Sequence, residues 1–231
     1  MIEEDTLKQI QDGPGAMIFV DKAAGMSSFG AVARVRKQLS DTLGRRVKVG
    51  HTGTLDPFAT GLLILVAGKM TKKAGEFSGL DKEYEATFVL GAESSTGDPE
   101  GEIRESGDTL DFSEEDIRHA MKKFVGEIEQ KPPIYSAIKI DGQRAYKLAR
   151  KGETPEMPTR KVKIYEFELL DWQAPELRVR VKVSSGTYIR SLAEDLAREL
   201  GTVAYTKELR RTQVGKYVLS ELDKNSRCLH L

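Results

Sequence analysis

Among the side chains of this sequence, Asp56 is the one best placed to do chemistry. It sits in GHTGTLDPFATG, within the stretch from Val47 to Gly61, where His51, three glycines, several threonines and Pro57 precede the apolar run LLILVAG. Glycine, proline and aspartate together mark a tight loop. Leu62 to Val66 is short and apolar enough to be a buried strand. A carboxylate at the mouth of such a strand is costly unless it is paired. A single carboxylate in a Gly/Thr loop suits nucleophilic catalysis; the plainer alternative is an aspartate that only caps the turn before Pro57.

Other chemistries fit this loop less well. His51 and Asp56 would be two ligands of a metal, but the remaining histidines are His119, on another element, and His230, at the tail beside Cys228, so three or four ligands do not converge and no metal is expected. A phosphate loop needs Gly-Lys-Ser/Thr entering a helix, and Gly68-Lys69-Met70-Thr71 has neither the spacing nor the adjacency. A glycosidase would need a second carboxylate across a cleft. Asp98, Glu100 and Glu102 fall in what reads as an exposed acidic loop, Glu93 to Glu105, and supply no such partner. Arg190, just after Gly-Thr-Tyr at a helix start, could keep a buried carboxylate ionised or could equally be a surface cap. Spacing alone does not join it to Asp56.

The composition bounds the setting. The chain has 231 residues, 39% hydrophobic and 31% charged, with 36 basic residues balancing 36 acidic ones. That length allows one sizeable core, and a neutral total still permits a basic face. Such a face is offered by Arg45, Arg46, Lys48, Lys69, Lys72, Lys73, Arg210, Arg211 and the basic, tyrosine-bearing stretch from Lys131 to Lys151. One cysteine, Cys228, excludes an internal disulfide and suggests a reducing compartment. The polar N-terminus and the lack of a long apolar run point to a cytoplasmic protein rather than a secreted or membrane-bound one.

The elements that would hold these residues follow from periodicity. After a polar lead-in, residues 1 to 15, Ala16 to Val20 reads as a strand. Ser27 or Ser28 caps a helix with Phe29, Val32, Ala33, Arg36 and Leu39 on its inner face. Lys69 to Phe77 reads as a short basic helix. Lys82 to Leu90 alternates, with Tyr84, Ala86, Phe88 and Leu90 inward. Ser113 with Asp116 forms a capping box for a helix carrying Ile117, Ala120, Met121 and Phe124. Pro132-Pro133 and Asp141-Gly142 suggest a hairpin-like excursion over about 130 to 152, followed by a short basic helix. Lys161 to Leu170 and Leu177 to Val183 read as long strands, and a helix from Tyr188 is stopped by Gly201. These pairs imply an α+β fold with a mixed, largely antiparallel sheet flanked by helices, as one domain over 16 to 231.

Five segments, VGHTGTLDPFATGLLILVAGKMTK, DKEYEATFVLG, PPIYSAIKIDGQRAYKLARKGE, SSGTYIRSLAEDLARELG and LRRTQVGKY, resemble in order those of the bacterial TruB-type tRNA pseudouridine-55 synthase family. The resemblance runs from about Ala16 to the early 220s. It implies the pseudouridine synthase fold and an isomerase that detaches uracil, rotates it and rejoins it through C5 without metal or cofactor. Its implied partner is the T-arm stem-loop of tRNA, bound by a monomer. In that reading Asp56 is the nucleophile, Tyr84 stacks on the flipped base and Arg190 pairs with Asp56. Lys139, Tyr188 and Leu209 line the uridine pocket, and His51 contacts displaced bases. A different class of function, an RNA-binding or tRNA-folding protein on the same scaffold, would need none of the chemistry of Asp56, Tyr84 and Arg190. Bacterial members usually continue into a small C-terminal RNA-binding domain, whereas this chain ends at Leu231, as a compact or a shortened member would.

Overall fold

In a computed structural model the chain is described for residues 2–231 except 137, 141, 150, 154, 226 and 227. It divides into two compact units, Met1–Tyr84 with Leu209–Leu231, and Glu85–Glu208.

The first unit opens with α1 (Glu4–Gln11), β1 (Ala16–Lys22), α2 (Ser28–Leu43), β2 (Val49–His51) and β3 (Thr60–Ala67). A 3-10 turn (Gly68–Lys73) and α3 (Ala74–Ser78) lead into β4 (Lys82–Leu90), along which the chain enters the second unit. The second unit contributes β5 (Ala92–Ser94), β6 (Ile103–Glu105), α4 (Glu114–Lys122), β7 (Gly126–Gln130), β8 (Lys139–Ile140), β9 (Gln143–Arg144) and α5 (Ala145–Ala149). It continues with β10 (Arg160–Gln173), β11 (Glu176–Val183) and α6 (Ile189–Glu199), and β12 (Ala204–Val214) returns the chain to the first unit. There β13 (Tyr217–Val218), α7 (Leu219–Lys224) and β14 (Cys228–His230) complete it.

Strand β3 is the spine of the first unit. Every residue from Leu62 to Ala67 is at most 1% exposed, as a strand covered on both faces requires. It pairs antiparallel with β1 and β2 and parallel with β12, and β1 pairs parallel with β14, so the sheet is mixed. Leu62 and Ile64 pack with Val214, Leu219 and Leu222. Where β3 meets β12, Gly61 adopts φ +99°, and a Cβ there would come within 2.3 Å of the Arg211 carbonyl oxygen, so only glycine fits. In the second unit β11 pairs antiparallel with β10 and β10 with β7. Leu90, Ala197 and Ala204 form a core cluster there.

Several expectations match in detail. Strand β4 spans Lys82–Leu90 with Tyr84, Ala86, Phe88 and Leu90 all buried. Helix α4 has its capping box, Ser113 with Asp116, and α6 is followed by Gly201 at φ +78°.

Two readings change. Helix α2 buries Ser28, Ala31, Val32, Val35 and Leu39, while Phe29 is 66% exposed with Arg36 over its ring. The inner face is therefore rotated by about one residue from the sequence reading, because Ser28 is turned inward for a purpose described below. The segment Glu93 to Glu105 is exposed over most of its length, as expected, but it is a short hairpin, β5 with β6, and Asp98 within it is 3% exposed. In the basic excursion β8 and β9 pair and α5 follows; Asp141 of the expected turn lies outside the described residues.

Candidate active site

Of the seven residues singled out by sequence, His51, Asp56, Tyr84 and Leu209 belong to the first unit, and Lys139, Tyr188 and Arg190 to the second.

In the first unit, the loop between β2 and β3 is anchored through its backbone on both sides of Asp56. The hydroxyl of buried Ser28 accepts from Leu55 N–H and donates to Leu55 O, both at 2.8 Å. Ser27 caps α2 by accepting from Gly30 N–H, which leaves Ser28 to face inward. Lys22, fully buried at the end of β1, donates to Pro57 O at 3.1 Å and to Met26 O and Ala23 O. Arg211, 2% exposed on β12, donates through Nε to Leu62 O and through its two terminal nitrogens to Thr54 O and Gly53 O. Ala59 N–H donates to Asp56 O, and Gly25 N–H to Pro57 O. Buried backbone groups without partners cost about 1–3 kcal/mol each. This set of donors therefore fixes residues 53 to 57 in one conformation. Asp56 is half-buried on this rigid support.

Tyr84 and Leu209 are each 8% exposed, on β4 and β12. His51 ends β2 half-buried, opposite Leu65 of β3. Close by, Lys82 is 7% exposed and donates to Ser78 O and Leu80 O. Burial, and then the neighbouring Arg211 charge, lower its pKa from 10.5 to about 8. Between those values the unfolded chain holds a proton that the folded chain has released, so this residue makes stability rise with pH there. Against Lys82→Met, the wild type should gain relative stability in urea unfolding between about pH 8 and 10.5; a gap that stays constant over that window would contradict the shift.

In the second unit, Arg190 is 2% exposed, which excludes the surface-cap reading. Its guanidinium donates to Asp98 Oδ2 at 3.0 Å, to Thr96 O at 2.7 Å and to Tyr135 O at 2.8 Å. The other oxygen of Asp98 accepts from Thr96 Oγ1 and Glu100 N–H. Both lone-pair sets of this buried carboxylate are thus used, as a buried charge demands. Gly97 has φ +72°, and a Cβ there would lie 3.5 Å from Arg190 Cβ and 2.8 Å from Glu194 Oε1. Tyr188 is half-buried at the N-cap of α6, with the Arg160 guanidinium 4.6 Å from its ring centre. Lys139 is exposed on β8, paired in register with Arg144.

The sequence reading missed Ser28, Lys22 and Arg211 as anchors of the Asp56 loop, and Asp98 as the carboxylate partner of Arg190 within the second unit. The Thr-Gly-Asp run at 96–98 was the available signal, since it favours a turn in which an aspartate side chain bonds local backbone.

Residues 39–189 match the model of the TruB family pseudouridylate synthase, N terminal domain. The chain belongs to that family. It is 45% identical over 205 residues to the tRNA pseudouridine synthase B of Flavobacterium johnsoniae, spanning 88% of this chain and 90% of the relative. It is 46% identical to the protein of that name from Francisella tularensis over 89% of this chain, which spans 67% of the relative. Among solved structures it resembles one titled as a Cbf5-Nop10-Gar1 complex, with TM-score 0.70 and 31% identity over 97% of this chain and 54% of the other. A second, titled as an H/ACA RNP bound to a substrate RNA containing 2'-deoxyuridine, gives TM-score 0.65 and 30% identity over 93% of this chain and 51% of the other. The chain thus spans about half the length of these solved chains. The TruB fold expected from the five segments is the fold observed, and each segment supplies an element described above.

Proposed function

We propose that this chain converts uridine to pseudouridine at position 55 in the T loop of tRNA, with Asp56 as the nucleophile. The observation that carries the proposal is the set of buried donors that hold the backbone of Gly53, Thr54, Leu55 and Pro57 around Asp56. Anchoring of that density around one carboxylate is what a preorganised nucleophile requires, since misplacement by about 1 Å can cost about 100-fold. Relatives carrying the name tRNA pseudouridine synthase B support the reaction and the class of RNA.

The isomerisation balances within the substrate. The N1–C1′ bond breaks, C5 bonds to C1′, the C5 proton passes to water and N1 ends with a proton. No redox partner or added group enters the sum. Asp56 bonds transiently to the uridine as the N1–C1′ bond is broken, and that bond breaks again once C5 has joined C1′, so the carboxylate is regenerated. A base in a stacked arm must first be flipped out, at a cost of a few kcal/mol that a stacking aromatic offsets. Buried Tyr84 is assigned that role, with Leu209, Tyr188 and Lys139 lining the pocket and His51 meeting displaced bases. Arg190, whose position Asp98 fixes, is assigned to keep Asp56 ionised. The β8–β9 hairpin and α5, with their basic residues, serve as the RNA-contacting excursion of a single catalytic domain. All seven residues come from one chain, so a monomer suffices; a single cysteine fits the reducing cytoplasm.

Nucleoside mapping of a T-arm hairpin after incubation tests this. Pseudouridine is expected at the position equivalent to 55 and at no other uridine. Conversion spread over several uridines would overturn the assigned target.

A further inference from the structure

Gln130, the last residue of β7, is fully buried. Its amide faces the backbone of a single residue on another element: Oε1 accepts from Tyr188 N–H at 2.8 Å, and Nε2 donates to Tyr188 O at 3.0 Å. One side chain therefore meets both main-chain groups of Tyr188, as a neighbouring strand would. The place where it does so is specific. Tyr188 is the N-cap of α6 and uses no side-chain cap of its own, while its carbonyl also accepts from Leu192 N–H. Ser191, in the first turn, donates to Lys131 O, the carbonyl next to Gln130. On the other side, Arg160, the cross-strand neighbour of Gln130, lies over the Tyr188 ring and donates to Gly186 O. The turn, the ring of Tyr188 and the start of the helix that carries Arg190 are all referenced to the end of β7.

We propose that Gln130 is a positioning residue for the uridine site, setting the placement of Tyr188 and, through the first turn of α6, of Arg190. The proposal rests on the roles given to those two residues above. Gln130 touches no reacting atom; it acts through the backbone it grips. This grip needs one acceptor and one donor on a planar group of fixed length, which glutamine supplies and glutamate supplies only when protonated.

That chemistry gives the test. In Gln130→Glu the introduced carboxyl has nearly the same shape. When neutral, its carbonyl accepts from Tyr188 N–H and its O–H donates to Tyr188 O, so both bonds survive. When ionised it has no donor, and an oxygen faces the Tyr188 carbonyl. Complete burial raises the pKa of a carboxyl above its usual value of about 4.3. The charged Arg160, its cross-strand neighbour on β10, limits the rise.

Single-turnover rates on the T-arm hairpin, measured from pH 5 to 9, should therefore show a step in Gln130→Glu that the wild type lacks. The rate should fall at least about tenfold as pH rises through the new ionisation, with KM nearly constant. Gln130→Ala should be slow at every pH, without the step. Amide exchange at Tyr188 reports the grip without turnover; its protection should be lost in Gln130→Ala, which leaves the Tyr188 N–H without its acceptor, and kept in Gln130→Glu, whose carboxyl accepts from that N–H in either form. A wild-type pH profile in Gln130→Glu, a rate loss that only tracks the unfolded fraction, or unchanged protection of the Tyr188 amide in Gln130→Ala would each overturn the proposal. Inactivity of the wild type on this RNA would instead count against the assigned reaction, and the exchange result would still decide the role of Gln130.

Discussion

Asp56→Asn is expected to lower turnover at least about a thousandfold while leaving affinity for the T-arm hairpin nearly unchanged. The exchange keeps the volume of the side chain and removes its capacity to attack carbon and leave again. The loop should hold its shape, because the groups that fix it are Ser28, Lys22 and Arg211, and these bond the backbone of neighbouring residues. Single-turnover kinetics, fluorescence binding and a thermal melt of the same preparation separate the effects. A rate within about tenfold of wild type would remove Asp56 as nucleophile, since loss of a true nucleophile is far more costly than that.

The second large effect falls on Asp98. Its carboxylate and the Arg190 guanidinium are 5% and 3% exposed, and they meet at 3.0 Å. Removing one partner of a buried pair typically costs about 3–5 kcal/mol, because the remaining charge stays desolvated. Asp98→Ala should therefore lower the melting temperature by roughly 10 °C and reduce activity even where the protein remains folded. Asp98→Asn keeps an acceptor for Arg190 and should lose appreciably less, the difference reflecting the charge-assisted part of the bond. If Asp98→Ala melts like the wild type, the pair does not hold Arg190 in place.

These two residues also show what was legible before the structure. Asp56 stood out because its neighbours are turn residues and a continuous apolar run, both local features. Tyr84 was placed inward by the alternation of a single strand, and α4 by its capping box. Around Asp98 the acidity and glycine of the segment describe a solvated surface loop. What buries Asp98 is Arg190, 92 positions away, and no local period encodes that partner. Helix α2 shows the same limit from the other side. By hydrophobicity Phe29 belongs inside and Ser28 outside, yet Ser28 is inward because Leu55 needs both a donor and an acceptor. Gln130 and Arg211 likewise have partners that are backbone groups, 58 and 149 to 158 positions distant, which side-chain identity does not announce. The fold class follows from patterns of burial along the chain. The anchoring of the site depends on polar contacts between elements far apart in sequence.

The central claim, that this chain moves the glycosidic bond of a uridine from N1 to C5, is tested most directly with a T-arm hairpin carrying tritium at C5 of its uridines. C5 must give up its hydrogen to form the new bond, so the wild type should release to water the tritium of one uridine per hairpin, and Asp56→Asn should release almost none. Absence of release by the wild type from this hairpin and from full-length tRNA, or equal release by both proteins, would contradict the account.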